Sequence, residues 1–378
     1  MAEPDPDASA RGHAELEISA VDVPPPDGSG AASDVKELPQ ELLVCHALRQ
    51  QHELSLWGNL DRCPTLPEAV EYWRGNRYEE RHVYLARLDG EVIGMCTMEL
   101  SLHENTHTAG IDVLIAPAQR RQGLGRALLE HAEGLARERG RTSLYGYHEV
   151  PPMAVGGAAV PAKSGAGALP LDEPAVAFAV AAGYELEQVE RSSRLTLPVP
   201  PHLLARLETE AGALAGQYDI IGWDDSCPEE LVNGHALLKA TMSTDVPIAG
   251  LDWEGENWDS ARVREDERAL IGTGVQSAVT AALHRPTGEL VAYTVLNWRP
   301  GVPATISQQD TLVSGAHRGH RLGMMIKIAN LRRAQRRWPA AKSVLTWNAS
   351  ENQHMLAINI SLGFKPDGYE GEWQKRLG

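Results

Sequence analysis

The chain lacks any apolar run long enough to cross a bilayer as a helix, which excludes an integral helical membrane protein. It lacks an excess of basic residues. The formal net charge is −16, which argues against DNA, RNA or an anionic membrane as the main partner. An acidic balance is compatible with a cationic small substrate. The four cysteines (Cys45, Cys63, Cys96, Cys227) show no CxxC spacing, so free thiols in a reducing compartment are expected. The opening residues, MAEPDPDASARGH, lack the basic and apolar parts of a signal peptide, and a cytoplasmic location is the expectation. No ligand cluster suggests a metal. His317 and His320 are close in sequence, but no further ligands accompany them.

What is present is written twice. Apolar residues make up 43% of 378 residues, enough for the two cores that this length suggests. HVYLARLDGEVIGMCTMELS (82–101) resembles SAVTAALHRPTGELVAYTVLNW (277–298), and both read as two strands around a glycine-containing turn. IDVLIAPAQRRQGLG (111–125) aligns without a gap to QDTLVSGAHRGHRLG (309–323), each a strand, a turn and a helix start. Leu128, Leu129, Ala132, Leu135 and Ala136 recur at helical spacing until Gly140. Met325, Ile328, Ala329 and Leu331 do the same until Pro339. A strand follows in each half (142–147 and 343–348). Then come a short helix ending in Gly plus an aromatic, and a final strand, QVERSSRLTL or GEWQKRL.

The expected fold class is α/β, with two tandem units, each a mixed β-sheet flanked by helices. The expected boundaries are a disordered N-terminus (1–12), an N-terminal unit (13–197), a linker helix (198–216) and a C-terminal unit (217–378). A Gly/Ala/Pro-rich stretch (151–170) reads as a flexible insertion in the first unit.

A helix N-terminus leaves backbone N–H groups unpaired, and glycines let an anion approach them closely. Arg120-Arg121-Gln122-Gly123-Leu124-Gly125 adds basic side chains to such an end. No Lys-Ser/Thr follows, so it is not a P-loop, and it is not GxGxxG. Arg120-x-x-Gly123-x-Gly125 resembles the (Gln/Arg)-x-x-Gly-x-(Gly/Ala) motif of the GNAT superfamily of N-acetyltransferases. The succession of elements resembles that superfamily over nearly the whole chain, once per half. The duplication resembles the tandem architecture of the mycothiol synthase family, without a local match that assigns that activity.

The resemblance implies acetyl-CoA as donor, with its pyrophosphate on each turn. The cofactor-binding residues it implies are Arg120, Arg121, Gln122, Gly123, Gly125 and Arg126 in the first half. In the second they are Arg318, Gly319, His320, Arg321, Gly323 and Met324. The pantetheine arm would lie along Leu114-Ile115 and Leu312-Val313. The second turn departs from the motif, because Arg321 stands where the first Gly belongs.

Transfer to an amine requires loss of the ammonium proton and donors for an oxyanion. Asp310, and its counterpart Asp112, sit on the central strands where an acid can act as general base. Asn352 matches the Asn of the superfamily's later helix, and Asn359 takes the place of its acidic Tyr. In the first half Asp172 and Ala179 hold those two positions. These departures point to catalysis in the second half (Asp310, Asn352, Asn359), with the first a degenerate or auxiliary cofactor site; the opposite assignment of the halves stays open. Asp252, Trp253, Glu254 and Trp258 are the expected acceptor contacts, since carboxylates beside aromatic faces suit a cationic amine. The expected activity is acetyl transfer to a primary amine of a small cationic molecule, such as an antibiotic or amino-sugar-like metabolite. A protein or peptide N-acetyltransferase and a non-catalytic acyl-CoA-binding protein stay open, as does a monomer or homodimer. No nucleic acid or membrane partner is expected.

Overall fold

The computed structural model describes residues 15–25, 38–152 and 157–377. The expected disordered residues 1–12 lie outside them. The first repeat runs β1 (Leu16–Ala20), α1 (Gln40–Trp57), α2 (Leu66–Arg74), β2 (Glu79–Leu88), β3 (Glu91–Ser101) and β4 (Thr108–Ile115). It continues through α3 (Leu124–Glu138), β5 (Ser143–Val150), a small hairpin β6 (Ala159–Pro161) and β7 (Ala168–Pro170), α4 (Pro174–Ala181) and β8 (Glu185–Thr196). The connecting helix is α5 (Pro201–Gly212). The second repeat runs β9 (Tyr218–Asp224), α6 (Val232–Asp245), α7 (Ser260–Gly272), β10 (Gln276–His284), β11 (Glu289–Trp298) and β12 (Thr305–Val313). It ends with α8 (Leu322–Arg337), β13 (Ser343–Ala349), α9 (Gln353–Leu362) and β14 (Lys365–Arg376).

Local chemistry explains many of these boundaries. Thr65 and Glu68 form a capping box that starts α2, the Thr65 N–H donating to Glu68 Oε2 at 2.8 Å. Asp259 caps α7 by accepting from the Arg262 N–H at 2.8 Å. Asp89 and Gly90, both at positive φ, turn β2 back on β3. The stretch read as a flexible insertion is more ordered than expected. Its described residues 157–170 hold the β6–β7 hairpin, and Leu169 is buried in the first core.

The two repeats share one twelve-stranded sheet, in the order β1-β2-β3-β4-β5-β14-β8-β13-β12-β11-β10-β9. The final strands are exchanged. β8 of the first repeat pairs antiparallel with β13 of the second. β14 of the second pairs with β5 of the first. At the centre β8 and β14 pair with each other, Glu190 opposite Glu370. The register is symmetric about that pair: Gln188 faces Glu372 and Ser192 faces Gly368. A pseudo-two-fold axis therefore passes between Glu190 and Glu370.

The exchange completes both cores. Trp373 of β14 packs with Leu128, Leu129, Leu144 and Val176 in the first. Leu195 of β8 packs with Ile306, Ile328, Val344 and Phe364 in the second. Burying one such leucine is worth about 2 kcal/mol. The linker helix α5 also belongs to the second core, through Leu204, Leu207 and Ala211. The connecting loops cross as well. The α1–α2 loop reaches the second repeat, where Asp61 O and Cys63 O accept from Arg299. The α6–α7 loop reaches the first, where Asn105 Nδ2 donates to Glu254 O at 3.2 Å.

Candidate active site

Each repeat opens a fork in the sheet. β4 and β5 run parallel and pair only at Thr108–Ser143, Ala109–Leu144 and Gly110–Tyr145. Beyond these pairs β4 continues to Ile115 and β5 to Val150 without pairing to each other. At the fork a Cβ on Gly146 would sit 2.7 Å from the Ile111 carbonyl oxygen, so only glycine fits. β12 and β13 repeat the geometry, pairing only at Thr305–Ser343, Ile306–Val344 and Ser307–Leu345. Splayed strands leave backbone N–H and C=O groups facing a cleft, where an extended ligand can add to the sheet.

The forks differ in one respect. β3 and β4 keep an unbroken register from Gly94–Ile115 to Leu100–Ala109. In the second repeat Thr294 pairs with Thr311 but Leu296 with Gln308, so β12 carries an extra residue at 309–310. This is a β-bulge, which bends the strand and frees backbone groups from the ladder. The Gln308 amide braces it, donating to Val295 O at 2.6 Å and Thr294 Oγ1 at 3.0 Å.

Both forks end at a helix N-terminus shaped by two left-handed residues. In the first turn they are Arg121 (φ 66°) and Gly123 (φ 83°). In the second they are Gly319 (φ 84°) and Arg321 (φ 55°). Arginine and glycine have exchanged places between equivalent positions, so the second turn keeps its conformation despite the departure from the motif. The first-turn N–H groups of Leu124, Gly125 and Arg126, and of Leu322, Gly323 and Met324, have no partner within their helices. A Cβ built on Gly123 meets nothing within 4 Å, so that helix end is open. The groups present fit a diphosphate: free N–H donors, the positive end of the helix dipole and exposed arginines.

The expected cofactor residues divide in three. Arg121, Gln122, Arg126, Gly319, His320 and Arg321 are exposed at the helix ends. Arg120 and Arg318 fold back, each Nε donating to the last carbonyl of the strand, Ile115 O at 3.2 Å and Val313 O at 3.3 Å. Arg318 also pairs with Asp245 at 2.6 Å. Leu114, Ile115 and Leu312 are buried in the cores, so their backbones alone could face a ligand. Val313 packs at the edge of such a cluster. The Met324 side chain is buried among Ile306, Ile328 and Leu331, so it offers a ligand only its N–H. Gly323 is likewise in the interior, 3.3 Å from Ile358 measured from a built Cβ. Near the second turn, His317 Nδ1 lies 3.0 Å from the Tyr218 hydroxyl, and the His284 and His320 rings also pack on Tyr218.

The expected catalytic residues each have different partners. Asp310 lies at the bulge, where its Oδ2 accepts from the Tyr293 hydroxyl at 2.9 Å and lies 3.8 Å from Lys239 Nζ. Lys239 in turn sits 4.2 Å from the Trp258 ring centre and 3.1 Å from Asp266. Asp112, the counterpart, is instead paired with Arg49 of α1. Asn352 is a helix cap, accepting from the Met355 N–H at 3.2 Å. Asn359 is 0% exposed, its amide donating to Asn348 Oδ1 at 2.7 Å. Neither can act as an acid, and the structure gives both a structural role.

The expected acceptor segment splits in two. Trp258 stays with the second repeat, between Lys239 and Arg262. The others lie against the first. Trp253 packs on Tyr145 with ring centres 4.8 Å apart and planes tilted by 55°. The Asp252 N–H donates to Gln374 Oε1 at 2.6 Å, and its carboxylate lies 3.4 Å from His107. The Glu254 N–H donates to Asn105 Oδ1 at 2.5 Å. The segment is a strap across the exchanged strands, not a wall of its own repeat's fork.

A carboxylate row that the motifs did not suggest lies on that same face. Strand alternation places Glu149 (β5), Glu370 (β14) and Glu190 (β8) side by side, with Tyr147, Glu372 and Gln188 as the next row. Glu53 of α1 and Glu351 after β13 face the rows from either side. Burial, with the neighbouring charges of Glu372, Glu190 and Glu149, pushes the Glu370 carboxyl well up. Burial and Glu190 push Glu372 up to about 8. Burial and Glu351 push Glu190 up to about 7. Burial and Glu149 push Glu53 up to about 7. Arg62, from the crossing α1–α2 loop, closes one end. It pairs with Glu149 at 2.5 Å and Asp367 at 2.9 Å, and stacks 3.7 Å from the Trp57 ring centre. The strap closes the other, Pro247 O accepting from Gln188 at 2.9 Å. One sequence signal could have found this row: glutamate recurs at 190 and 370 in the two final strands.

Comparison with known proteins fits this geometry. Residues 48–150 match the acetyltransferase (GNAT) family. A tandem GNAT protein from the clavulanic acid biosynthesis pathway is 26% identical, with a TM-score of 0.70 over 96% of this chain and 99% of that one. A GCN5-related glucosamine N-acetyltransferase region of a fungal multi-domain GH3 β-N-acetylglucosaminidase is 12% identical. Its TM-score is 0.61, over 97% of this chain and 38% of that one. A GCN5-related N-acetyltransferase from Sphaerobacter thermophilus is 14% identical, with a TM-score of 0.56 over 96% of each chain. The last two likenesses show the fold alone. No curated protein sequence matches the chain.

Proposed function

We propose that this enzyme, which has a GNAT-family acetyltransferase domain at residues 48–150 and the tandem GNAT fold throughout, moves an acetyl group from acetyl-CoA to a primary amine of a small cationic molecule. Acetyl-CoA would supply the activated acyl group as a thioester. Two forks ending in two anion-receptive turns provide for two such molecules, and the second fork is the productive one. The observation that carries this assignment is the bulge at Gln309–Asp310, which the first fork lacks.

The bulge does two things in this reading. It leaves an unpaired backbone N–H at the fork as a donor for a developing oxyanion. It also sets Asp310 at the cleft, beside Lys239 and the Tyr293 hydroxyl. Asp310 takes the ammonium proton, directly or through water. The amine nitrogen then bonds to the acyl carbon, the carbon–sulfur bond breaks, and the sulfur leaves to take a proton from water. No side chain acid stands in the place of Asn359. In the first fork the equivalent Asp112 is held by Arg49, which suits an auxiliary cofactor site.

The test uses Gly123→Glu and Arg321→Glu, equivalent exposed positions that set a carboxylate against each diphosphate without touching a core. Acetyl-CoA is titrated by calorimetry, and thiol release is followed with a panel of small amines and with a peptide. Each variant is expected to lose one binding equivalent, and only Arg321→Glu to lose turnover. Loss of turnover in Gly123→Glu alone reverses the assignment of forks. Preference for the peptide replaces the small-molecule acceptor. Absence of binding to the unaltered chain overturns the reading.

A further inference from the structure

We propose that Glu190, Glu370, Glu372 and Glu53 form one acceptor subsite on the pseudo-two-fold axis, made for an amine that carries a second cationic centre. The proposal rests on the reading of the chain as an amine acyltransferase, and names the class and place of its acceptor.

Register comes first. Glu190 and Glu370 occupy the same place in the two repeats and pair directly across the axis. Glu149 extends the row on β5, and Glu372 is two residues along β14. Neighbouring members lie about 5 Å apart across the strands. Like charges so placed destabilise a sheet. The neighbours show how this chain neutralises carboxylates elsewhere: Glu149 has Arg62, Asp112 has Arg49, Asp367 has Arg194. Among the described residues, no Lys, Arg or His pairs with Glu53, Glu190, Glu370 or Glu372.

Glu53 supplies an independent sign. It is 8% exposed, on α1 beside Glu149, and its Oε2 has no hydrogen-bond partner. Once ionised, above about pH 7, this carboxylate only accepts, so its missing partner is then a donor. Tyr147 flanks the row with 63% of its surface open, an aromatic face on which a cation can rest. Among the described residues no three His, Cys, Asp or Glu side chains are placed to hold a metal ion, which favours an organic cation. Glu370 and Glu372 hydrogen-bond each other, and four acids without a cationic partner still exceed what one ammonium neutralises. The groups facing the row are Arg49, His52 and Glu53 from α1, Arg62 from the α1–α2 loop, Tyr147 and Glu149 from β5, and Glu351 after β13.

The test is calorimetric titration of the full chain, without acyl donor, by 1,3-diaminopropane and by propylamine at pH 8.5. The diamine is expected to bind at least tenfold more tightly. Glu190→Gln and Glu370→Gln are each expected to weaken it at least tenfold. Binding should weaken as pH falls below 7, and its heat should vary with the buffer as carboxyl protons are released. Glu91→Gln, an exposed glutamate on β3, should change nothing. Equal binding of both amines, unaltered binding in the two variants, or an equal loss in Glu91→Gln overturns the proposal. Acetyl-CoA titration and melting of the same samples separate the two readings. Cofactor binding with an indifferent subsite sinks this proposal alone. Selective diamine binding without any cofactor binding sinks the acyltransferase reading and leaves a polyamine site.

Discussion

Gly123 and Arg321 hold the same position in the two repeats, and both cap a helix in the left-handed region, at φ 83° and 55°. A side chain is therefore tolerated there, at a conformational cost of about 1–2 kcal/mol. Gly123→Arg should lower stability by about that amount in urea unfolding while keeping both cofactor equivalents. Loss of one equivalent would show that the first turn needs glycine for ligand approach.

Arg62 joins the repeats from a loop of the first, with its side chain 3% exposed between Glu149 and Asp367. Removing one partner of a buried ion pair costs about 3–5 kcal/mol. Arg62→Ala should destabilise the chain by that order in denaturant titration. A change below about 1 kcal/mol would mean that water replaces the guanidinium.

The carboxylate row makes stability depend on pH. Glu372 rises from 4.5 to about 8, and Glu190 and Glu53 rise from 4.5 to about 7. The folded chain thus holds protons that the unfolded chain has released in that window. Stability contributed by these groups is present below about 4.5 and is lost as pH rises towards 8. The midpoint of thermal unfolding in Glu372→Gln should decline less from pH 5 to 8.5 than in the unaltered chain. Parallel curves would exclude a raised Glu372.

Asp310 and Asp112 are equivalent by repeat but not by environment. Asp310→Asn should reduce acyl transfer by about 10²–10⁴-fold with cofactor binding intact. Asp112→Asn leaves Arg49 without its partner and should act mainly on stability. Similar losses of turnover in the two variants would place catalysis in both forks.

The anion-receptive turns were legible because they are local. Glycine spacing, helical periodicity and a gapless alignment of 111–125 with 309–323 specify strand, turn and helix within fifteen residues. Asp310 was legible by position, but its distinction from Asp112 was not, since Lys239 and Arg49 reach them from other elements. The partners of Asn352 and Asn359 were not legible, because a motif position does not reveal what a side chain meets. Asn352 proves to be a cap, and Asn359 a buried amide bonded to Asn348. That Asp252, Trp253 and Glu254 reach the first repeat was not legible, because nothing within a loop records which strands it crosses.

The sequence by itself determined the duplication, the succession of strands and helices, and the two helix ends fit for an anion. These follow from backbone propensity and side-chain periods that act over a few residues. Tertiary structure decided the exchange of β8 and β14, the bulge that separates the forks, and the meeting of Glu190 with Glu370. Strand pairing joins residues 180 positions apart, and the equivalent strands of a repeat carry similar patterns. The packing of residues such as Trp373 and Leu195 into the opposite cores favours the exchanged partner.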